Sequence, residues 1–144
     1  MAREHAYKHK VQYYETDQMG IVHHSNYIRW FEEGRTDYMS TLGMGYHKME
    51  EAHIYCPVLS VEADFLRMVR FGDVVTVNLK IKEYNGFKMT VAYEVVSDTT
   101  GMVHCRGTTK HCFLDEKSKP ITLKKACEPF HRLFMDTFED GNKQ

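Results

Sequence analysis

Between Val74 and Tyr84 apolar and polar residues alternate one for one. Val75, Val77, Leu79 and Ile81 fall on one face of a strand, and Thr76, Asn78, Lys80 and Lys82 on the other. Asn85-Gly86 follows, a two-residue hairpin signal in which both turn positions are expected at positive φ. Phe87, Met89, Val91, Tyr93 and Val95 then continue one apolar face. A tight turn between two such runs requires antiparallel pairing, and a one-sided apolar sheet requires a cover. That requirement constrains the chain more than any other feature.

The flanking segments extend the sheet. Residues 7–14 predict a first strand. In Val58–Phe65, Leu59, Val61, Ala63 and Phe65 alternate with Val58, Ser60, Glu62 and Asp64. Asp98 to Gly101 supplies a further turn, and residues 102–114 the last long strand. The cover is one long helix over about Asn26 to Leu42, with Tyr27, Ile28, Phe31, Tyr38 and Leu42 as its buried face. Ser25 or Asn26 is the expected cap, and Gly43 the stop. Pro120 and Thr122 open a short C-terminal helix that Pro129 is expected to interrupt, and residues 139–144 read as a polar tail. The expectation is one α+β domain over residues 1–144, a five-stranded antiparallel sheet wrapped around one helix.

Composition removes several functions. The chain has 144 residues, 42% apolar and 27% charged, with a formal net charge of −1. Such a balance lacks the basic excess that nucleic acid or an anionic membrane recruits. The charged N-terminus has no apolar core of a signal peptide, and no run approaches a transmembrane span. Cys56, Cys105, Cys112 and Cys127 form no Cys-x-x-Cys pair and read as reduced thiols, which predicts a cytoplasmic protein. The nine histidines show no metal-ligand spacing, so no metal site is expected.

The loop before the helix carries the chemistry. It holds a carboxylate, Asp17, and a glycine, Gly20, that lets backbone approach a ligand. It runs into a helix N-terminus whose unpaired amides favour developing negative charge. These parts suit attack on a thioester carbonyl. On the residues alone the plainer readings come first: Asp17 as a turn acceptor, His24 as a helix-start histidine and Gly20 as turn chemistry.

The run Thr16-Asp17-x-x-Gly20-x-Val22-x-His24-x-x-Tyr27, followed by Arg29-Trp30-Phe31-Glu32, resembles the signature of the 4-hydroxybenzoyl-CoA thioesterase family of hotdog proteins. Val61-x-x-Asp64-Phe65-Leu66-Arg67 and Arg70-Phe71-Gly72-Asp73 resemble that family's second strand and the turn after it. The resemblance spans roughly residues 7–114. It implies the hotdog fold and hydrolysis of an acyl-CoA to free acid and CoA, without metal or organic cofactor. It places the attacking or base-like carboxylate on Asp17 and the oxyanion-binding amide on the His24 backbone. It matches the His24 side chain and Tyr13 to catalytic positions of the branch acting on aliphatic acyl groups, whereas the aromatic branch carries a tyrosine where His24 stands. Gly20, Val22, Tyr27 and Glu32 become substrate-binding candidates. It further implies a homodimer or homotetramer in which Leu59, Ser60 and Val61 reach the partner's site. Arg67, Arg70, Lys88 and Lys110 are candidates for CoA phosphates. Two rival functions remain at this point: a hotdog hydratase or dehydratase, and a non-catalytic module binding acyl-CoA or acyl-carrier protein.

Overall fold

The computed structural model describes residues 4–142, with side chains to residue 138. The elements run β1 (His5–Lys10), a 3-10 turn (Tyr13–Glu15), α1 (His24–Thr41), α2 (Tyr46–Glu51), β2 (Val58–Phe65), β3 (Val74–Tyr84), β4 (Lys88–Ser97), β5 (Val103–Cys112), α3 (Leu123–Ala126) and α4 (Glu128–Asn142). The five strands form one antiparallel sheet in the order β1-β3-β4-β5-β2. The strand–helix–four-strand order and the single sheet with its long helix agree with the sequence reading.

The alternation in β3 and β4 decides which face is covered. Val75, Val77, Leu79 and Ile81 pair along the ladder with Ser97, Val95, Tyr93 and Val91. All but Ser97 are buried, under α1 and, at the β3–β4 end, α4. Burial of a side chain of this size is worth about 1.5–3 kcal/mol, so this face drives the fold. The opposite face carries Glu62, Asp64, Lys80, Glu94 and Arg106 around an open cleft.

One glycine sets how closely α1 lies on the sheet. A Cβ on Gly107 in β5 would stand 2.6 Å from Phe31 Cε2 and 2.7 Å from the Glu62 carbonyl oxygen. The bare backbone leaves room for the Phe31 ring, which stacks on Tyr93 with centroids 4.3 Å apart. Gly34 is buried on α1, facing Leu79 and Val77.

Several local expectations are corrected. β1 ends at Lys10, and Tyr13 and Tyr14 leave the strand for the 3-10 turn. The α1 cap is neither Ser25 nor Asn26 but His23, whose Nδ1 accepts from the Ser25 amide. Ile28 is 40% exposed, and Trp30 and Gly34 occupy the buried stripe in its place. Asn85 does not adopt positive φ; its side-chain oxygen accepts from Phe87 and Lys88, and only Gly86 (φ +89°) takes the left-handed conformation in this turn. Pro129 does not break α4 but sits in its first turn, where the missing N–H costs nothing. The supposed tail at residues 139–142 continues α4; residues 143–144 lie outside the described residues. The short α2 had no periodic signal strong enough to mark it.

Candidate active site

Residues 16–22 close into a small hairpin. Thr16 bridges Val22, the Asp17 amide donates to Ile21 O at 2.8 Å, and the Gly20 amide donates to Asp17 O at 2.9 Å. Gly20 closes the turn at φ +78°, a conformation that penalises residues bearing a Cβ. The hairpin is fastened from outside, since Val22 donates to Val69 O and Ile21 bridges Arg70. Asp17 Oδ1 accepts from the Met19 amide at 2.8 Å, and no other hydrogen bond or ion pair of the carboxylate is found among the described residues. One oxygen is therefore oriented and the other available.

Helix α1 begins two residues after Val22. The His23 amide donates to Glu15 O at 2.9 Å, tying the two arms of the hairpin together at its base. Asp17 follows one end of that bond by two residues and His24 follows the other by one. As the first residue of α1, His24 has an amide with no partner inside the helix. Its ring is exposed, stacked on His23 at 4.2 Å and edge-on to Phe65 at 6.2 Å.

Glu15, which the sequence did not single out, holds this arrangement. Its side chain is buried, with Oε1 accepting from His9 Nε2 at 2.7 Å and from the Gln12 amide at 2.8 Å. Oε2 accepts from Trp30 Nε1 at 2.7 Å. Its carbonyl also accepts from the buried Asn26 side chain at 2.7 Å. Burial alone would raise the carboxyl pKa, but the Gln12, His9 and Trp30 donors outweigh it and hold the group below its ordinary value. A charged glutamate in a loop beside Asp17 looks solvated in sequence. Only the approach of His9 and Trp30 buries it.

The candidate residues are not all brought together within one chain. Asp17, Gly20, Val22, His24 and Tyr27 gather at the start of α1. Tyr27 is buried between Trp30 and Phe65, with burial and the Cys105 thiol pushing its phenol up to about 12. Tyr13 stands on the 3-10 turn, 77% exposed, edge-on to Phe71 at 5.8 Å. Glu32 lies two turns further along α1, at the rim of a cavity of about 320 Å³ between α1 and α2. Leu59, Ser60 and Val61 are on the edge strand β2, and Phe65, at its far end, is the residue that touches His24. Six residues of strand, roughly 20 Å, separate Leu59 from Phe65. Arg70 pairs with Ile21 of the hairpin and the Arg67 amide donates to His104 O, whereas Lys88 and Lys110 line a different cleft with Leu59. Among the described residues no cluster of His, Cys, Asp and Glu is arranged to hold a metal ion.

A five-stranded antiparallel sheet wrapped on one long helix defines the hotdog fold. The Thioesterase-like superfamily matches residues 11–130, and the chain belongs to that family. It is a thioester hydrolase of the hotdog fold, in accord with the resemblance of its loop to the 4-hydroxybenzoyl-CoA thioesterases. The chain is 36% identical over 126 residues (87% of this chain, 91% of the relative) to a Bacillus subtilis protein named "Putative acyl-CoA thioesterase YneP". It is 26% identical over 104 residues (70% and 74%) to the 4-hydroxybenzoyl-CoA thioesterase of Pseudomonas sp.. Its fold superposes on a DHNA-CoA thioesterase from Staphylococcus aureus with a TM-score of 0.92 at 28% identity, covering 97% of this chain and 94% of that one.

Proposed function

We propose that this enzyme hydrolyses acyl-CoA thioesters, with Asp17 as nucleophile or general base and the first amides of α1 as the oxyanion site. The observation that carries the reading is the hairpin that sets a carboxylate with one unpartnered oxygen beside a helix start with an unpaired amide. The names of the relatives support the acyl-CoA substrate. In this mechanism the thioester oxygen accepts from the His24 amide as negative charge develops on it. One such donor is worth about 3–4 kcal/mol in the transition state. Asp17 attacks the carbonyl carbon, expelling the CoA thiolate and leaving a mixed anhydride that water opens. As a base, it instead takes a proton from water while that water attacks and the thiolate leaves. In this reading the His24 ring and the Tyr13 hydroxyl, both exposed, orient water or protonate the thiolate. The chemistry needs no metal or organic cofactor, because CoA arrives with the substrate.

Assembly completes the site in this reading. Antiparallel pairing of β2 with a second copy about a twofold axis would bring the partner's Leu59–Ser60–Val61 end to the Phe65 end of its neighbour, beside His24.

A free-thiol assay against short-chain, long-chain and aromatic acyl-CoAs tests the reading. Asp17→Asn keeps the shape and removes the charge. Its turnover is expected to fall about 10²-fold or more with little change in affinity. His24→Ala is expected to be milder, because the amide remains. A folded Asp17→Asn enzyme within about threefold of wild-type turnover, a barrier change of only ~0.65 kcal/mol, would remove Asp17 from the chemistry. Hydration of crotonyl-CoA without thiol release would point to a hydratase, and tight binding without turnover to a binding module.

A further inference from the structure

The cavity between α1 and α2 combines a greasy lining with one cation. Met39, Met44, Met49 and Ile54 supply apolar wall, and the half-buried Arg35 and Cys56 stand among them. Arg35 NH1 donates to the Tyr93 hydroxyl at 3.0 Å. The Tyr93 hydroxyl lies 2.6 Å from Thr109 Oγ1, which lies 2.7 Å from His111 Nε2. No carboxylate pairs with Arg35 among the described residues, although Glu32 and Glu50 occupy the exposed rim of the same cavity.

The neighbours of Arg35 cannot neutralise it. Burial raises the Tyr93 phenol, pushes the Cys56 thiol up to about 12 despite the guanidinium, and with the guanidinium pushes His111 down to about 4. All three are uncharged near neutral pH. His111 Nδ1 has no hydrogen-bond partner among the described residues, and the ring reaches Arg35 only through Thr109 and Tyr93, so it does not answer the guanidinium directly. A partly buried guanidinium with most of its five donors unspent is costly unless something else answers it.

The cavity lies on the helix face that leads away from the proposed oxyanion site. His24, Ile28, Glu32, Arg35 and Met39 recur at helical spacing, and Ile28 is exposed. Arg35 is eleven residues from His24, roughly 16 Å of helix, and a helical side chain leans back towards the N-terminus. The gap from carbonyl to guanidinium is then roughly 10 Å, the reach of an acyl chain of about eight carbons.

We propose that Arg35 selects the acyl group: the α1–α2 cavity takes a chain that lies on the methionines and ends in a carboxylate bound by the guanidinium. This rests on the thioesterase reading and adds a substrate class to it. A planar guanidinium matches a carboxylate with two parallel hydrogen bonds, and flexible methionines accommodate a chain without dictating its shape.

The test compares 7-carboxyheptanoyl-CoA with octanoyl-CoA, and in parallel the binding of the non-hydrolysable thioethers S-(7-carboxyheptyl)-CoA and S-octyl-CoA. The wild-type enzyme is expected to favour the carboxylate-ended member of each pair by about tenfold or more, since a desolvated charge-assisted bond is lost otherwise. Arg35→Met fills similar space without the charge and is expected to reverse the preference; Arg35→Lys is expected to keep part of it. Wild-type enzyme that handles the plain octyl compounds as well as the acidic ones overturns the proposal, with no variant required. A folded Arg35→Met enzyme equally impaired on both overturns it too, and assigns Arg35 to structure or to the rim glutamates. Discrimination between thioethers without hydrolysis of any acyl-CoA would end the thioesterase reading and keep the subsite. Hydrolysis without discrimination would do the reverse.

Discussion

The Glu15 carboxylate accepts from His9, Gln12 and Trp30, while its carbonyl accepts from His23 and Asn26. One residue thus joins β1, the 3-10 turn and both ends of the hairpin to α1. Glu15→Gln would turn an amide NH₂ towards at least one of three donors. It is expected to cost about 2 kcal/mol at pH 7, as hydrogen bonds to charged groups typically do, read from urea unfolding. Because the folded pKa lies below the unfolded one, the carboxylate's contribution is complete above the ordinary glutamate value, about 4.3, and is lost as the pH falls through the depressed folded value. The gap between wild type and Glu15→Gln should therefore be widest near neutrality and shrink on acidification below about pH 4. A gap independent of pH would mean that shape rather than charge is what Glu15 supplies. Asp17 stands out in the sequence as a candidate because a motif surrounds it. Glu15 does not, because its partners lie six residues before it and fifteen after it in different elements.

At the scale of elements, α1 is held on the sheet by a contact rather than by its own propensity. The Phe31 ring occupies the space that a side chain at Gly107 would fill, and it stacks on Tyr93. Gly107→Ala forces Phe31 or the Glu62 backbone to move, and overpacking of this kind costs about 1–3 kcal/mol. A lowered melting temperature with far-UV circular dichroism unchanged is the expected result. Unaltered stability would mean that the Phe31 ring yields freely. The periodic pattern identified α1 and its approximate length. It misplaced the buried stripe at Ile28, because helical spacing alone does not say where the sheet stands. Ile28 is left exposed, and Gly34 takes a place where a Cβ would stand 3.3 Å from Leu79 Cδ2, so that a larger residue there requires the leucine side chain to shift.

At the scale of the whole molecule, β2 is an edge strand with apolar residues outward. Val58, Leu59, Phe65, Leu66, Met68 and Phe71 are all exposed along β2 and the loop after it. An unprotected apolar edge of this kind invites pairing with another chain. Light scattering is expected to give a mass at least twice the 16.9 kDa of one chain. Placing charges on that edge with Leu59→Asp and Phe65→Asp should shift the protein towards monomer and lower activity together. A fully active monomer would show that one chain holds a complete site. Among the described residues no helix is long and apolar enough to cross a membrane.

Alternation with period two, an Asn-Gly turn and one run at helical spacing were sufficient to determine an antiparallel sheet packed on a long helix, but not α4, which also covers β3 and read in sequence only as a short interrupted helix. Those signals are local: each residue reports which side of its own strand or helix is dry. The loop motif likewise identified the family, since a turn and a helix start are built from neighbours in the chain. Strand order was beyond such signals. β2 pairs with β5 and β1 with β3, across intervening elements, because burial of the apolar faces selects those pairings. The burial of Glu15, the capping by His23 and the seating of Arg35 in a methionine-lined cavity depend in the same way on groups distant in sequence. Only the packed tertiary structure brings those groups close enough to exclude water, and without that exclusion neither a depressed carboxyl pKa nor an unpaired guanidinium would carry meaning.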